Sequence, residues 1–276
     1  MAGLDLPLGE LAVFALAIAV SGVVSGLMAG VFGIGGGAVL VPVFYQVFGL
    51  LGVEEAVRMH LSVGSSLAII IPTSIRSFTS HRARGAVDME LLRGFYVSVP
   101  VGVALASLTA AAISSEGLRT IFAVITLLVA FRLLFNRESW RIGGEIPGNP
   151  VRGVIGVLIG YLSTLMGIGG GVMNNTFMTL YGRPMHQAVA TSSGVGVMIA
   201  IPGTVGYIWA GWGLPGLPVA SSGYVNWIAV AIIIPIALLV TPWGVRLAHA
   251  LSKRQLEVAF GLFCVFVSAR FFWSLV

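Results

Sequence analysis

Charged residues are scarce in this sequence. Asp, Glu, Lys and Arg make up only 9% of its 276 residues, whereas a soluble domain carries about 25%. Hydrophobic residues make up 57% and the mean hydropathy is +1.00. This composition excludes a soluble domain and predicts an integral membrane protein. Its apolar runs, for example residues 95–112, are too continuous for the alternating strands of a membrane barrel, so the predicted fold class is all-α and polytopic.

Cysteine pairs, nucleotide motifs and a basic N-terminus are also missing. Cys264 is the single cysteine, which excludes an internal disulfide and argues against a thiolate metal site. No Gly-x-x-x-x-Gly-Lys-Ser/Thr motif occurs, which excludes a transport step driven by ATP hydrolysis at a P-loop of this chain. Residues 1–11 contain Asp5 and Glu10 but no Lys or Arg, and therefore lack the basic region of a cleaved signal peptide. We expect a retained N-terminus, no metal and no cofactor.

The net charge of +5 raises the question of a nucleic-acid partner. The Lys and Arg residues lie in loops at the ends of apolar segments, and no basic stripe with interleaved aromatic residues occurs. We therefore expect no nucleic-acid partner and interpret the positive charge as a signal of membrane topology.

What the sequence does contain is a doubled glycine run. Gly33-Ile34-Gly35-Gly36-Gly37 returns as residues 167–171, and three further landmarks repeat in the same order: residues 60–66 match 186–192, 85–88 match 223–226, and 118–135 match 256–273. This order predicts a duplication. The predicted organisation is a first repeat over residues 1–140, a linker over 141–150 and a second repeat over 151–276, within one integrated transmembrane domain.

The segments around the second glycine run predict the topology. Residues 151–166 and 172–181 are each shorter than the ~20 residues that a helix needs to span a bilayer, which indicates a helical hairpin that enters and leaves on one side. The full spans predicted in the first half cover about residues 56–80, 93–113 and 118–135, and the second half repeats them. One hairpin and three full spans in each half give an odd number of crossings, so the two halves are predicted to be inverted. The whole chain then has six full spans, or about ten helices when the hairpin arms are counted.

The distribution of Lys and Arg agrees with this inverted arrangement. With both termini outside, only Arg58 and Arg119 lie in outer loops, and the inner loops hold Arg82, Arg84, Arg93, Arg137, Arg141, Arg152, Arg183, Arg246, Lys253 and Arg254. If the first arm crossed the membrane fully and only the second were re-entrant, the basic residues of the second half would face the other side. We predict a protein of the bacterial inner (plasma) membrane with both termini outside.

Each glycine run leads into a short helix, and this indicates an anion site. The first N–H groups of a helix lack intrahelical partners and carry the positive end of the helix dipole. In an inverted pair, two such ends meet near the midplane, and a seam of hydroxyl side chains adds neutral donors. The predicted substrate-binding residues are Gly35, Gly36, Gly37, Gly169, Gly170, Gly171, Ser65, Ser66, Thr191 and Ser192. The alternative is that the glycines only allow close helix packing.

These motifs resemble the TSUP family of sulfite and organosulfonate permeases, also called TauE/SafE-type. The resemblance rests on Gly-x-Gly-Gly-Gly at the end of a first helix in both halves, on Pro42 five residues after the first run, and on the two His/Val/Ser-Ser segments. It implies transport of small sulfur-containing oxyanions such as sulfite or sulfoacetate, often outward from the cytoplasm. The second copy departs from the pattern, because Asn174-Asn175-Thr176 stands where a proline is expected. This departure suggests that Asn174 or Asn175 contacts the substrate.

Several polar residues allow two interpretations each. Arg76 lies within an apolar helix, where it pairs with the substrate or, like the nearby Arg82 and Arg84, extends to the inner surface. His60 and His186 start equivalent helices, and they serve either in proton coupling or as anchors near the interface. Arg132 and Arg270 lie near helix ends and either extend to the surface or line an exit.

The leading prediction is a secondary transporter that exports a small anionic substrate by alternating access, with protons or sodium as coupling ion and the lipid bilayer as its surroundings. A passive anion channel fits the same residues. An intramembrane hydrolase would need Ser65 or Ser192 as nucleophile, but each His lies on a different helix face from the Ser that follows it, so a dyad would require the other half. We predict that the chain is not an enzyme. The sequence does not indicate the oligomeric state.

Overall fold

The structure, a computed structural model, describes residues 8–32, 36–135 and 141–273. Its helices are α1 (Leu8–Phe32), α2 (Gly37–Leu50), α3 (Glu55–Arg82), α4 (Met89–Gly94), α5 (Ser98–Ala110), α6 (Ser115–Leu134), α7 (Val151–Met166), α8 (Gly171–Leu180), α9 (Met185–Ala210), α10 (Trp227–Ala250) and α11 (Lys253–Trp273). Two short strands, β1 (Ser221–Ser222) and β2 (Val225–Asn226), pair antiparallel before α10. The all-α, polytopic class is thus confirmed.

Four of the described helices are long and apolar enough to cross a membrane, namely α3, α6, α9 and the part of α10 over Trp227–Leu247. All four were predicted as full spans. The second hairpin also has its predicted arms, because α7 and α8 are 16 and 10 residues long. The first arm differs, since α1 has 25 residues and is therefore as long as a span. The side of the membrane on which the termini lie stays a prediction.

The count of eleven described helices exceeds the predicted ten because one predicted span is interrupted. A single helix was expected from Arg93 to Ile113, but α4 ends at Gly94 and α5 begins at Ser98. Pro100, in the first turn of α5, contributes to the break, because it has no N–H for the carbonyl of Tyr96. Gly94 adds a residue with low helix propensity at the same point.

The helices pack in pairs that cross between the two halves of the chain. α1 packs against α10 and α7 against α5, while α3 packs against α9 and α6 against α11. The sequence landmarks match α1 with α7, α2 with α8, α3 with α9, α4 and α5 with α10, and α6 with α11. Exchanging the two halves therefore converts the α1–α10 contact into the α7–α5 contact and leaves the α3–α9 and α6–α11 contacts unchanged.

Small residues of α1 form a close-packing face against α10. A Cβ atom added at Gly26 would lie 2.6 Å from the carbonyl oxygen of Ala237, and one added at Gly30 would clash with the carbonyl oxygen of Thr241. Side chains at these two positions would push the helix backbones apart. The glycines thus bring α1 and α10 into backbone contact, as in other small-residue helix interfaces of membrane proteins.

Candidate substrate-binding site

The two glycine turns meet backbone to backbone. Gly36 precedes α2 with a φ of 81° and Gly170 precedes α8 with a φ of 73°, and glycine tolerates this left-handed geometry best. A Cβ atom added at Gly37 would clash with the carbonyl oxygen of Gly167 and lie 3.0 Å from the Cα of Ile168. The start of α2 therefore contacts the first residues of the second glycine turn, which joins the end of α7 to the start of α8. Gly35 lies outside the described residues.

Two of the predicted hydroxyls line this meeting point. The Ser66 hydroxyl donates to the carbonyl oxygen of Gly167 at 2.9 Å. The Ser192 hydroxyl donates to Oδ1 of Asn175 at 2.7 Å and accepts from Nδ2 of Asn174, also at 2.7 Å. Both serines and both asparagines are buried. The structure thus brings Ser66, Ser192, Asn174 and Asn175 together with the second glycine turn.

The other two predicted hydroxyls join the halves of the chain. The Ser65 Oγ accepts the backbone N–H of Asn226 at 2.9 Å, and the Thr191 Oγ1 accepts the backbone N–H of Asp88, also at 2.9 Å. Asn226 and Asp88 are themselves the N-caps of α10 and α4, where their side chains accept N–H groups of the first turn. Ser65 and Thr191 therefore hold matched helix starts in place, while their contact with substrate stays a prediction.

Several buried polar atoms around the turns have no hydrogen-bond partner in the described part of the chain. A Cβ atom added at Gly196 would lie 2.6 Å from Oγ of Ser74 and 2.8 Å from the carbonyl oxygen of Gly169, so Ser74 and the second turn flank the same point. The unpartnered atoms next to the turns are Oγ of Ser25, Oγ of Ser74, Oγ of Ser163 and Oδ1 of Asn174. Each unmade hydrogen bond of this kind costs roughly 1–3 kcal/mol, so such atoms call for a ligand or water.

Three of these atoms belong to residues that were not predicted as site residues. Ser25 lies against the first turn, because its side chain contacts Gly36. In the sequence it is one of several small residues of an apolar segment and gives no separate signal. Ser163 lies in the last turn of α7 and gave no separate signal. Ser74 lies about two helical turns after Ser66 on the same face of α3, and this spacing is the signal that could have identified it.

Arg76 and the two histidines are placed differently from the serines. Arg76 is exposed, and the structure does not bring it to the glycine turns. His60 is buried, with Nε2 3.0 Å from the carbonyl oxygens of both Ala110 and Ile113, whereas the matched His186 is exposed. His60 thus anchors the end of α5, which agrees with the anchoring interpretation for this residue; proton coupling stays a prediction.

Comparison with known proteins gives the family of this chain. The profile described as "Sulfite exporter TauE/SafE" matches residues 18–271. The chain belongs to the TauE/SafE sulfite exporter family. The resemblance inferred from the glycine runs and the His/Val/Ser-Ser segments is thereby confirmed, and with it the assignment to a family of integral membrane transporters.

Relatives with curated descriptions span nearly the whole chain. A "Probable membrane transporter protein" of Haemophilus influenzae is 30% identical over 260 residues, which cover 94% of this chain and 98% of that relative. A similarly described protein of Methanocaldococcus jannaschii is 25% identical and covers 86% of this chain and 87% of its own length. The protein YunE of Bacillus subtilis is 23% identical, with 86% and 88% covered. No solved structure gives a significant match.

Proposed function

We propose that this transporter carries small sulfur-containing oxyanions, such as sulfite and sulfoacetate, out of the cytoplasm by alternating access around the paired glycine turns. The observation that carries the proposal is the group of unpartnered, fully buried polar atoms where the two turns meet. Ser74 provides a hydroxyl that can donate to an anion there, next to two helix N-termini that favour negative charge. The unpartnered Oδ1 of Asn174 is an acceptor and suits a water or a protonated ligand oxygen instead.

The chemistry of this group fits an anion that must be released again. Hydroxyl donors and helix N-termini are neutral or only partly charged, so they bind a tetrahedral oxyanion without the strong attraction of a fixed guanidinium. The described residues at the meeting point include serines, glycines and asparagines but no Lys or Arg. The sulfur substrate class comes from the description of the family, which names sulfite export.

An inverted duplication would give such a site two access paths. The reciprocal packing of α1 on α10 and of α7 on α5, and the reciprocal bonds of Ser65 to Asn226 and of Thr191 to Asp88, support two related halves at residues 1–140 and 151–276. The linker over 141–150 is non-helical, and its Ile142 N–H donates to the carbonyl oxygen of Leu180 at 2.9 Å. Halves that rock about a fixed central site are the usual basis of alternating access. We place both termini outside the inner membrane, as the basic loops predict.

The residues considered for hydrolysis are engaged in other contacts. The hydroxyls of Ser65 and Ser192 bond to Asn226 and to the Asn174–Asn175 pair, while the His60 imidazole faces the carbonyl groups of α5 and its end. The geometry therefore favours transport over nucleophilic catalysis at these serines.

The test is flux through proteoliposomes that contain the purified chain. Sulfite or sulfoacetate uptake against its own gradient, driven by an imposed proton or sodium gradient, is the expected result. Downhill flux alone, insensitive to both ion gradients, would indicate a passive channel instead. Transport of carboxylates with no response to sulfite, sulfoacetate or taurine would show that the substrate class is wrong. Empty liposomes and a Gly37→Ala variant serve as controls for leak.

A further inference from the structure

One polar atom beside the second glycine turn lacks a partner and can only accept a hydrogen bond. Asn174 lies near the start of α8 and is fully buried, and its Oδ1 has no hydrogen-bond partner in the described part of the chain. An amide oxygen has no proton to give, so it binds a donor and does not bind an oxygen of a fully ionised anion. A buried acceptor is costly to leave unpaired, so this atom calls for a donor from a ligand or from water.

The contacts of the Asn174 side chain determine which of its two polar atoms is unpaired. Its Nδ2 donates to Oγ of Ser192 at 2.7 Å and to Sδ of Met178 at 3.4 Å. A thioether sulfur can only accept a hydrogen bond. An amide turned the other way would therefore place two acceptors against each other at Met178. This contact assigns Nδ2 to the side of Ser192 and Met178, and Oδ1 is the atom left without a partner.

The hydroxyl of Ser192 cannot supply the missing donor. It has a single proton, which it donates to Oδ1 of Asn175 at 2.7 Å. The hydrogen bonds thus run in one direction, from the Asn174 amide through the Ser192 hydroxyl to Asn175. This network holds the Asn174 side chain in one orientation and leaves its oxygen for a group from outside the protein.

A hydroxyl group of the opposite kind stands one helical turn away along α9. Asn174 contacts α9 at Ser192, whereas Ser74 approaches it at Gly196, where an added Cβ atom would lie 2.6 Å from Oγ of Ser74. Ser192 and Gly196 are four positions apart, so they lie on one face of α9 and about 6 Å apart along its axis. Ser74 is fully buried and its hydroxyl is unpartnered. A small ligand with one hydrogen bond of ~2.7 Å at each end fits between the two side chains.

The positive end of α8 adjoins these two side chains. The backbone N–H of Asn174 donates to the carbonyl oxygen of Gly170 at 2.9 Å, and the N–H groups that precede it in α8 have no partner within the helix. These groups and the helix dipole favour a negatively charged oxygen, which the Ser74 hydroxyl can also bind. The amide oxygen of Asn174 asks for the reverse, a donor. The site thus sets two requirements for one small molecule.

We infer that the central site selects oxyanions that carry a hydrogen-bond donor in addition to their negative charge, with Oδ1 of Asn174 accepting from that donor and Ser74 donating to a charged oxygen. This inference rests on the proposed function and narrows its substrate class. Hydrogensulfite and hydroxyalkanesulfonates meet both requirements. Fully ionised sulfite, fully ionised sulfoacetate and simple alkanesulfonates lack the donor and are expected to bind less tightly.

The test uses two ligands of equal size that differ in the donor. Isethionate ends in a hydroxyl group where propanesulfonate ends in a methyl group, and both are monoanions. The apparent Kd of the purified full chain is measured at one pH as thermal stabilisation over a range of ligand concentrations. We expect isethionate to bind about tenfold more tightly, because propanesulfonate leaves Oδ1 of Asn174 unpaired.

Asn174→Leu removes the acceptor and keeps the approximate size of the side chain. It should reduce the preference for isethionate from about tenfold to about onefold, because the ligand hydroxyl then has no acceptor. A purely structural role of Asn174 would weaken the binding of both ligands equally and leave the preference unchanged. If Asn174→Leu does not fold, Asn174→Ala replaces it, and the comparison of the two ligands on the unmodified chain needs no variant.

Thr164→Val is the matched control. Thr164 is buried just before the second glycine turn, and its hydroxyl already donates to the carbonyl oxygen of Gly160 at 2.7 Å. The variant removes a polar group from the same region without removing an unpartnered acceptor. We expect it to keep the preference for isethionate.

The outcomes separate this inference from the function on which it rests. If the unmodified chain binds neither sulfonate nor sulfite, the proposed function fails and the inference fails with it. If it binds the two sulfonates equally well, a water satisfies Asn174 and the inference alone is overturned. A preference for isethionate that persists in Asn174→Leu would show that another residue accepts the ligand hydroxyl, which overturns the role given to Asn174.

Discussion

The Ser65 side chain accepts the backbone N–H of Asn226 at 2.9 Å, across 161 positions of the chain. Thr191 makes the same bond to Asp88, at the same distance. Each bond links the middle helix of one half to a capped helix start in the other half. The two bonds therefore connect α3 to the start of α10 and α9 to the start of α4. If the halves rock during transport, the connected helices must move together.

Removal of either hydroxyl should destabilise the fold. Ser65→Ala and Thr191→Val each leave a buried backbone N–H without its acceptor, which costs roughly 1–3 kcal/mol. Thermal unfolding in detergent measures the loss. Ser107→Ala is the control, because the Ser107 hydroxyl only donates to the Val103 carbonyl within α5. If neither Ser65→Ala nor Thr191→Val unfolds at a lower temperature than this control, the two hydroxyls do not stabilise the helix starts.

Alanine at the meeting point of the turns should abolish transport. Gly37→Ala places a Cβ atom against the carbonyl oxygen of Gly167, so the two turns must separate. We expect flux to fall to the level of empty liposomes and the melting temperature to drop. Gly148→Ala is the matched control, because no atom lies within 4 Å of the Cβ position there. Normal flux in Gly37→Ala would remove the paired turns from the transport site.

Loss of the Ser74 hydroxyl should weaken substrate binding without lowering the stability of the protein. In the unliganded protein this buried hydroxyl has no partner, so Ser74→Ala is expected to leave the melting temperature unchanged or slightly higher. Its contribution to a bound oxyanion is a neutral hydrogen bond of about 0.5–1.5 kcal/mol, which corresponds to a rise in KM of about twofold to tenfold.

Thr73→Val provides the comparison for Ser74→Ala, since the Thr73 hydroxyl already donates to carbonyl groups of its own helix at 3.0 and 3.2 Å. It should change KM little. Equal KM values for the two variants, measured as initial flux over a range of sulfoacetate concentrations, would show that Ser74 does not contact the substrate.

Removal of Glu55 and removal of Arg119 should destabilise the protein to different degrees. The side chain of Arg119 is 5% exposed and that of Glu55 is 59% exposed. Glu55→Gln therefore leaves a charge in a desolvated place, whereas Arg119→Met leaves a carboxylate that water can hydrate. We expect about 1–2 kcal/mol of destabilisation for Glu55→Gln and less for Arg119→Met, measured by thermal unfolding. The reverse order would contradict the argument from burial.

Much of the helical framework could be predicted because it depends on neighbouring residues. The arm Val151–Met166 has the predicted bounds, since its apolar run ends at a glycine that the chain turns on. The break between α4 and α5 also has a local cause in Pro100, but the apolar residues around it give the pattern of one continuous helix. Composition and hydropathy are enough to predict such helices, because no contact between distant residues has to be known.

The arrangement of the candidate site was predicted only in part, and its contact with substrate stays a prediction. The glycine turns, Ser66, Ser192 and the two asparagines are brought together as expected, because their positions follow from the repeated motif. The motif treats His60 and His186 alike, yet one is buried against α5 and the other is exposed. Periodicity assigns a residue to a helix face, but it does not reveal which neighbouring helix covers that face.

By itself, the sequence determined that this protein is a polytopic helical membrane protein, that its landmarks occur twice, and that each copy begins a short helix with a glycine turn. Tertiary structure alone decided that Gly37 meets Gly167, that Ser65 and Thr191 bond across the halves, and that Asn174 donates to Ser192 but keeps a buried, unpartnered oxygen. The physical reason is range: turns and helices form from local backbone preferences, whereas burial, unpartnered polar atoms and pockets depend on how distant helices pack.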